Sequence, residues 1–403
     1  MSYVIKAVLS NPQCPGYGQV TVPFPIPDQE YDRMLELLSG LKIGDALEQD
    51  CQVDELDSWY GVLNALNGTQ VNVDELDYLA KRLDSFCEDE GAQFQAMAHK
   101  LGLSNIQDFI NLTFCCQQAT VITDFSDLKS VGRSHYMNLH GGSAPTEELD
   151  NLDGVETALL LIDGGGEAVT PYGVVYDNGM KLEREYDGRH FPAYFYDVYP
   201  LALEVTPAQD PDGGREYLYF PTAQRKIERT LLRAGADPRF ALEDDDLPEQ
   251  TAFAVDLDHL ETEDLPALNR ICQLIKAMPP LERKKLDAAV MMAMPHGADE
   301  VCRLAENLEQ FDFVPGVKTP EEYGRYMIRE SGHFQYDENL EGFYDFLGCG
   351  LRQTEKEQGQ FNTLGYVSYH GDLTLDELLR ENPAEQYQRE QQEQGLWMEG
   401  LSC

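Results

Sequence analysis

SVGRSHYM, residues 130–137, has a close counterpart in YGRYM, residues 323–327. Each segment contains a Gly-Arg pair, Gly132-Arg133 in the first and Gly324-Arg325 in the second, and the pairs are 192 residues apart. Self-similarity at a fixed spacing indicates a repeated structural unit. The same spacing recurs on both sides of the two segments.

Apolar positions of predicted helices, and one glycine of a predicted strand, recur 192 residues later. The pairs are Leu76 and Leu268, Leu79 and Ile271, Leu83 and Ile275, Phe86 and Met278, Phe94 and Leu286, Ala98 and Val290, Leu112 and Leu304, and Gly173 and Gly365. Near the start, a strand ending in Phe24-Pro25 and a helix ending at Gly40 correspond to Phe220-Pro221 and Gly235, at shifts of 196 and 195. The order and spacing of elements, more than residue identity, predict a tandem duplication.

Each predicted copy has three parts in the same order. A β-hairpin and a helix (3–40 and 198–235) precede a helical middle (about 54–138 and 256–330) and a β-rich closing part (about 155–192 and 340–370). Helices are segregated from strands, so we predict an α+β fold, elongated and multi-domain, and no βαβ sheet. The predicted domains are 1–53, 54–140, 141–197, 198–255, 256–333, 334–380 and a Glu/Gln-rich tail, 381–403.

The Gly-Arg pairs are predicted to lie early on a helix. Thr319 is followed by Pro320 and, three residues on, by Glu322, which together form a capping box; Asp127 is the matching cap in the first copy. A glycine inside a helix costs about 1 kcal/mol relative to alanine. Close approach of a neighbouring element would explain both glycines, with each arginine binding nearby carboxylates; the alternative is a tolerated surface glycine.

The charge is strongly one-sided. The chain has 72 Asp and Glu against 30 Lys and Arg, a net charge of −42, and residues 1–192 and 193–403 carry −20 and −22 of it. Such a surface repels DNA and anionic lipid and attracts basic clefts. A generally acidic proteome, halophily or a solubility surface would explain the charge equally well.

Cysteine usage and the amino terminus predict a soluble, intracellular protein. Nine cysteines include no CxxC pair, and MSYVIKAVLSNP lacks the pattern of a signal peptide. The longest apolar run, ALLLI at 158–162, is too short to span a bilayer.

No enzyme motif has strong support. GGG at 164–166 is predicted to be a hairpin turn after a strand, and EDDDLPE at 243–249 a solvated loop without the ligand spacing of a calcium site. Cys115 with His135 or His140 could form a thiol-imidazole pair, although inert buried residues are the simpler interpretation. We therefore predict no enzyme, no cofactor and no metal.

Acidic clusters on patterned elements suggest a fixed negative surface. Duplex DNA carries one charge per roughly 1.7 Å of axis, so the excess corresponds to about 70 Å of duplex, which permits DNA mimicry. The predicted phosphate-mimicking residues are Asp74, Glu75, Asp77, Glu88, Asp89, Glu90, Asp124, Asp127, Glu147, Glu148, Glu306, Glu309, Asp312, Glu321, Glu322, Asp337, Glu338, Glu341 and Asp345.

The second copy resembles the ArdA-type antirestriction proteins of conjugative plasmids and transposons. The resemblance covers roughly 198–372 and lies in LNRICQLIKAMP, VCRLAENLEQFDFVPGVKTPEEYGRYMIRESG, LEGFYDFLGCG and FNTLGYVSYHG; the first copy, with INLTFCCQQATVITDFSDLKSVGRSHYM, is more diverged. It implies an elongated, acidic DNA mimic, commonly dimeric, in the bacterial cytoplasm. Family members are typically nearer one copy in length, so two copies could replace or add to dimerisation.

The implied partner is the methyltransferase core of a type I restriction-modification enzyme, or another DNA-binding defence enzyme, whose DNA groove the protein occupies to shield incoming mobile DNA. Nucleic acid and membranes are not expected to bind directly. Two alternatives stay open: an acidic binding partner or chaperone of another basic protein, and a hydrolase that uses Cys115 or a pair of carboxylates.

Overall fold

Strands and helices occur in alternating groups along the computed structural model, which describes residues 3–209 and 214–380. Up to residue 197 they are β1 (Ile5–Ser10), β2 (Gln19–Phe24), α1 (Asp28–Gly40), β3 (Cys51–Ser58), β4 (Gln70–Val71), α2 (Val73–Asp84), α3 (Glu88–Leu101), α4 (Ile106–Leu112), β5 (Thr120–Ile122), α5 (Leu128–Leu139), α6 (Thr146–Asn151), α7 (Gly154–Gly164), β6 (Ala168–Thr170) and β7 (Gly173–Tyr176). The Glu/Gln-rich tail lies outside the described residues.

The second part of the chain repeats most of this order. It contains β8 (Leu201–Pro207), β9 (Glu216–Phe220), α8 (Gln224–Ala234), β10 (Pro238–Asp245), α9 (Glu249–Phe253), α10 (Leu265–Ala277), α11 (Pro280–Ala293), α12 (Ala298–Glu306), β11 (Phe311–Pro315), α13 (Pro320–Arg329), α14 (Phe346–Glu357), β12 (Gln360–Phe361), β13 (Gly365–Tyr369) and α15 (Leu375–Leu379). Helices and antiparallel sheets make this an α+β fold, as predicted.

The chain forms two compact units whose boundary does not follow the predicted copies. The first unit contains residues up to Val198 together with 204–218 and 222–239; the second contains 199–203, 219–221 and the chain from Phe240 onward. Helix α8 follows the second hairpin in sequence but belongs to the first unit. Its arginines explain this assignment, because they bind a carboxylate of α2.

The first sheet, in the order β2-β1-β3-β4, buries one face. Ile5, Ala7 and Leu9 of β1 are fully buried, as strand alternation requires. The pairing of β1 with β3 shifts between Val8 and Leu9, so Asp54 is an extra residue in β3. This bulge changes which alternate residues of β3 face the core, and Asp54 and Glu55 are therefore both exposed although adjacent.

The two small sheets share one register at a shift of 192 residues. Their orders are β5-β7-β6 and β11-β13-β12. Thr120 pairs with Tyr176, and Asp312 pairs with Ser368. The third strands follow the same rule, since Ala168 pairs with Val175 and Gln360 with Val367. Five helix pairs also begin 192 residues apart: α2 and α10, α3 and α11, α4 and α12, α5 and α13, and α7 and α14.

The predicted glycine contact is present in both parts. A Cβ added at Gly132 would lie 1.8 Å from the carbonyl oxygen of Gly154, at the start of α7. A Cβ added at Gly324 would lie 1.8 Å from the carbonyl oxygen of Phe346, at the start of α14. Backbone therefore crosses backbone at both sites, which only glycine permits.

The apolar stripes also lie where the sequence placed them. Leu76, Leu79 and Leu83 of α2 are buried, and so are Leu268, Ile271 and Ile275 of α10. These rows fill the two cores because residues three and four positions apart share one side of a helix.

In the second unit, Tyr323 and Tyr366 stack with ring centroids 3.8 Å apart, and both hydroxyls donate to Glu357 Oε2 at 2.7 Å.

Three local predictions were wrong. ALLLI, predicted to be a strand before the GGG turn, lies in α7, whose first turn is capped by the Asp153 side chain bonded to the Glu156 N–H. EDDD at 243–246 is not all loop, because β10 extends to Asp245 beside β8. The helical middle does not begin at 54, since β3 continues to Ser58.

Candidate protein-binding acidic surface

Most of the predicted phosphate-mimicking carboxylates face solvent. They lie at helix starts, on short strands and on loops of both units. The exposed members are Glu88, Asp89, Asp124, Asp127, Glu147, Glu148, Glu309, Asp312, Glu321, Glu322, Asp337, Glu338 and Asp345.

Several exposed carboxylates accept local hydrogen bonds that favour the charged form. The Ser126 N–H and hydroxyl both donate to Asp124 at 2.8 Å and lower its pKa. The Ser130 N–H and hydroxyl lower the pKa of Asp127 in the same way. Hydrogen bonds to an ionised carboxylate stabilise it. These groups are fixed negative charges at neutral pH.

Asp74 is a correction to the predicted surface, because it is buried and neutralised. Its Oδ2 accepts hydrogen bonds from Arg229 Nε at 2.8 Å and Arg233 Nη1 at 2.7 Å, and the Tyr31 hydroxyl donates to Oδ1. Burial alone would raise the pKa of Asp74, but the two guanidinium charges outweigh it and lower the pKa to about 2. This carboxylate is ionised but is not available to a partner.

Glu75 and Asp77 are further corrections on the same helix. Glu75 accepts hydrogen bonds from the Gln49 side chain at 2.9 Å and from the Tyr186 hydroxyl at 3.1 Å, and burial raises its pKa. Asp77 accepts the Ile26 N–H at 2.7 Å and pairs with Lys81 Nζ at 2.7 Å. These three acids of α2 therefore belong to the interior of the first unit, whereas Asp84 at the end of the helix is exposed.

One sequence signal could have identified this buried network. In an acidic chain, α8 carries Arg225, Lys226, Arg229 and Arg233 within nine residues. Positions 225, 229 and 233 recur every fourth residue and therefore share one side of the helix. A basic face on one helix of a strongly acidic chain predicts that carboxylates inside the protein are its partners.

Three other predicted carboxylates are only half-exposed and have partners. Glu90 accepts the Cys87 N–H at 2.9 Å in a capping box. Glu306 pairs with Arg270, and Glu341 pairs with both Arg325 and Arg329. The arginines partly neutralise the charge of Glu306 and Glu341, so these two contribute less to the negative surface than the exposed acids do.

Both Gly-Arg arginines bind acceptors close to the glycine contact, as predicted. Arg133 donates to the Leu149 carbonyl oxygen at 3.1 Å and lies 3.9 Å from Asp150. Arg325 binds Glu321 at 3.2 Å and Glu341 at 3.3 Å. Positions 149 and 341 are themselves 192 residues apart, so both arginines contact the same position, through a backbone oxygen in the first part and a carboxylate in the second.

Two exposed acidic strand segments lie outside the set of residues predicted above to mimic phosphate. In β3, Asp54, Glu55 and Asp57 are exposed because of the bulge; in β10, Glu243, Asp244 and Asp245 are exposed, and Asp246 follows them. Strand β10 lies at the edge of its sheet, in the order β10-β8-β9. Its consecutive acidic side chains are all exposed, so both faces of this end of the strand are open to solvent.

The proposed thiol-imidazole pair does not form. Cys115 is buried, its Sγ lies 3.8 Å from the Asn111 carbonyl oxygen, and burial raises its pKa. His135 lies 2.9 Å from the Thr120 hydroxyl, and His140 contacts the Tyr136 carbonyl oxygen at 2.7 Å. Within residues 3–209 and 214–380, no group of three or more His, Cys, Asp or Glu is arranged to hold a metal ion.

No helix in the described part of the chain is both long enough and apolar enough to cross a membrane. Comparison with protein-family models and with curated proteins finds no match for this chain.

Proposed function

We propose that this protein is an antirestriction DNA mimic that occupies the DNA-binding groove of a type I restriction-modification enzyme, or a related defence nuclease, in the bacterial cytoplasm. The observation that carries the proposal is the division of the carboxylates into two classes. Asp74 and Asp77 in the interior of the first unit are paired with basic side chains, whereas most of the acids predicted to mimic phosphate are exposed. A fixed negative surface of this kind attracts a basic groove.

The basic residues support this division. Arg229 and Arg233 bind Asp74, Lys226 lies 3.3 Å from Asp28, and Lys81 binds Asp77. Arg229, Arg233 and Lys226 join α8 to α2 and α1, and Lys81 pairs within α2, so these four cations do not offset the exposed acids. The negative field at the surface is correspondingly strong.

The acidic strand segments have a spacing that suits a phosphate backbone. Residues on a strand advance by about 3.3 Å, close to the rise of about 3.4 Å along the helix axis for each phosphate of one strand of B-DNA. Glu243, Asp244 and Asp245 provide three successive charges on β10 at this rise. Successive side chains point to opposite faces of a strand, and all three of these are exposed, so both faces of this end of β10 display charge.

We propose that the two parts of the chain arose by tandem duplication and act as two mimic modules. The shared strand register, the five helix pairs that begin 192 residues apart and the two equivalent glycine contacts support this. Exposed acidic segments occur in both parts, as two modules of one function require. Two modules in one chain would replace or add to dimerisation.

Competition with DNA tests the proposed function. The purified protein is titrated into a type I methyltransferase core bound to labelled cognate duplex, at low and moderate salt. We expect the duplex to be released in proportion to added protein, with weaker release at higher salt because ionic competition is screened. A charge-conserving control carries Glu243→Asp, Asp244→Glu and Asp245→Glu and should release duplex like the wild type.

Absence of release at both salt concentrations would contradict this target. Abolition of release by a single exposed Asp→Asn change would contradict mimicry itself, because one exposed ion pair contributes only about 0–1 kcal/mol.

A further inference from the structure

Among the described residues of the first unit, no further layer covers the central residues on the outer face of the first sheet. On this face, Lys6 of β1 lies between Pro23 of β2 and Asp57 of β3, and Val8 lies between Thr21 and Glu55. Lys6, Thr21, Pro23, Glu55 and Asp57 are all exposed. The opposite face carries the fully buried residues of the core. The outer face is therefore an unpartnered sheet face with a negative edge along β3.

Trp59 stands at the end of that edge and is 82% exposed. The chain on either side of it is anchored. The Ser58 hydroxyl donates to the Val4 carbonyl oxygen at 2.7 Å, and the Tyr60 hydroxyl donates to the Leu83 carbonyl oxygen at 2.9 Å. The Tyr60 ring also packs edge-on against Phe94, with centroids 5.8 Å apart. The indole is thus presented to solvent from a fixed backbone.

An exposed indole beside carboxylates suits an arginine of a partner. Guanidinium groups stack on tryptophan faces and also form two parallel hydrogen bonds with a carboxylate. Trp59 lies one residue beyond the end of β3 and two beyond Asp57, so their Cα atoms are at most about 7 Å apart. A guanidinium stacked on Trp59 would therefore have the Asp57 carboxylate within its reach. Tryptophan and arginine are also the residues most enriched among interface hot spots.

We infer that the outer face formed by β1, β2 and β3, with Trp59 as its anchor, is a docking surface for an arginine-bearing basic protein surface. The inference rests on the proposed function and adds to it a contact that phosphate mimicry does not provide, since it requires an aromatic ring. Charge complementarity identifies the occupant. A second copy of this chain would bring another net charge of −42 against the same negative edge.

A fluorescence titration tests arginine recognition directly. Trp59 and Trp397 are the two tryptophans of the chain, so a full-length Trp397→Phe variant reports on Trp59 alone. We expect octa-arginine to change the Trp59 emission at lower concentration than octalysine does, because the planar guanidinium stacks on the ring. Equal responses to the two peptides, or no response, would overturn arginine recognition.

Duplex displacement from the methyltransferase core tests the role of the face in the proposed complex. Trp59→Ala should raise the concentration needed for half-release by about tenfold or more, as expected for a hot-spot residue. Phe253→Ala is the matched control, because Phe253 is also an exposed aromatic residue, at 78%. It should change release by less than about twofold. Unchanged circular dichroism would show that truncating the exposed indole leaves the fold intact.

The outcomes separate this inference from the proposed function. If the Trp59→Ala variant releases the duplex as completely as the wild type does at the same concentration, the inferred docking surface is wrong. The proposed function as a DNA mimic would be unaffected by that result. If the wild type releases no duplex, the proposed target is wrong, and the peptide titration alone decides whether the face recognises arginine. Self-association of the wild type that is lost in Trp59→Ala, measured by sedimentation, would show that a second copy occupies the face and would overturn the inference.

Discussion

Arg229 Nε donates to Asp74 Oδ2 at 2.8 Å although the two residues are 155 positions apart in the chain. Both side chains are more than nine-tenths buried. The pair joins α8 to α2 within the first unit, and Arg233 reinforces it from the next turn of α8. Asp74, which the sequence analysis assigned to the negative surface, is therefore part of a structural contact in the interior.

Replacement of Arg229 by methionine should destabilise the first unit by about 3–5 kcal/mol, because it leaves a buried carboxylate with only part of its compensation. Urea-induced unfolding followed by circular dichroism measures the change. Arg33→Met is the control, since Arg33 and its partner Glu30 are exposed and such pairs contribute at most about 1 kcal/mol. A loss below about 1 kcal/mol for Arg229→Met would contradict the assigned role.

Alanine at Gly132 or Gly324 should destabilise its unit by at least about 2 kcal/mol, because each new methyl group would overlap a backbone oxygen that cannot move without displacing a helix. Thermal unfolding measures the loss. Gly40→Ala, in α1, is the control: nothing lies within 4 Å of its added Cβ, and alanine is the better helix former. Equal behaviour of the three variants would show that the close contacts are unimportant.

The stability supplied by Asp74 should disappear in acid. Its pKa is about 2 in the folded protein against 3.8 in an unperturbed carboxyl, so the stabilisation is present above pH 4 and is lost as the pH falls toward 2. At about 1.4 kcal/mol per pKa unit, the change is about 2 kcal/mol. Glu75 acts in the opposite direction, because burial raises its pKa.

Comparison with Asp74→Asn isolates this contribution from that of the other carboxylates. The difference in unfolding free energy between wild type and Asp74→Asn should narrow between pH 4 and pH 2. A constant difference over this range would mean that Asp74 does not titrate as proposed.

Neutralising the acidic end of β10 should weaken duplex release in small steps. Any one of Glu243→Gln, Asp244→Asn or Asp245→Asn should raise the concentration for half-release by less than about fivefold, and the triple variant by more than any single one, because exposed ion pairs are individually weak. The triple variant should also show a shallower dependence on salt. If the triple variant matches the wild type at both salt concentrations, β10 lies outside the interface.

Sequence patterns identified the features that depend on local periodicity. The buried row of Leu76, Leu79 and Leu83 needs only its own helix, and the cap at Thr319 needs only the next three residues. The glycine contacts were also predictable, because a glycine inside a helix requires an explanation and the same one occurs twice. Local periodicity, helix caps and helical glycines were therefore enough to predict the buried helix rows and the Gly-Arg sites.

Features that depend on distant partners were not predictable in the same way. Asp74 looks like any polar residue of an amphipathic helix until Arg229 is placed beside it. Glu243 and its neighbours have poor strand propensity, yet β10 pairs with β8 because sheet formation there overrides local preference. The segment ALLLI is short enough to form either a strand or a helix. It lies in a helix, α7, whose first turn is capped by Asp153.

The hydrogen-bonded trio of Tyr323, Glu357 and Tyr366 corresponds, 192 residues earlier, to Val131, Gly165 and Val174. The three polar groups are thus absent together in the first part of the chain. Replacing Glu357 alone would leave the buried Tyr323 and Tyr366 without the acceptor of both hydroxyls, at a cost of about 1–3 kcal/mol. The two parts can exchange this feature only as a set of three, so a chimera that divides the set should fold less stably than either parent.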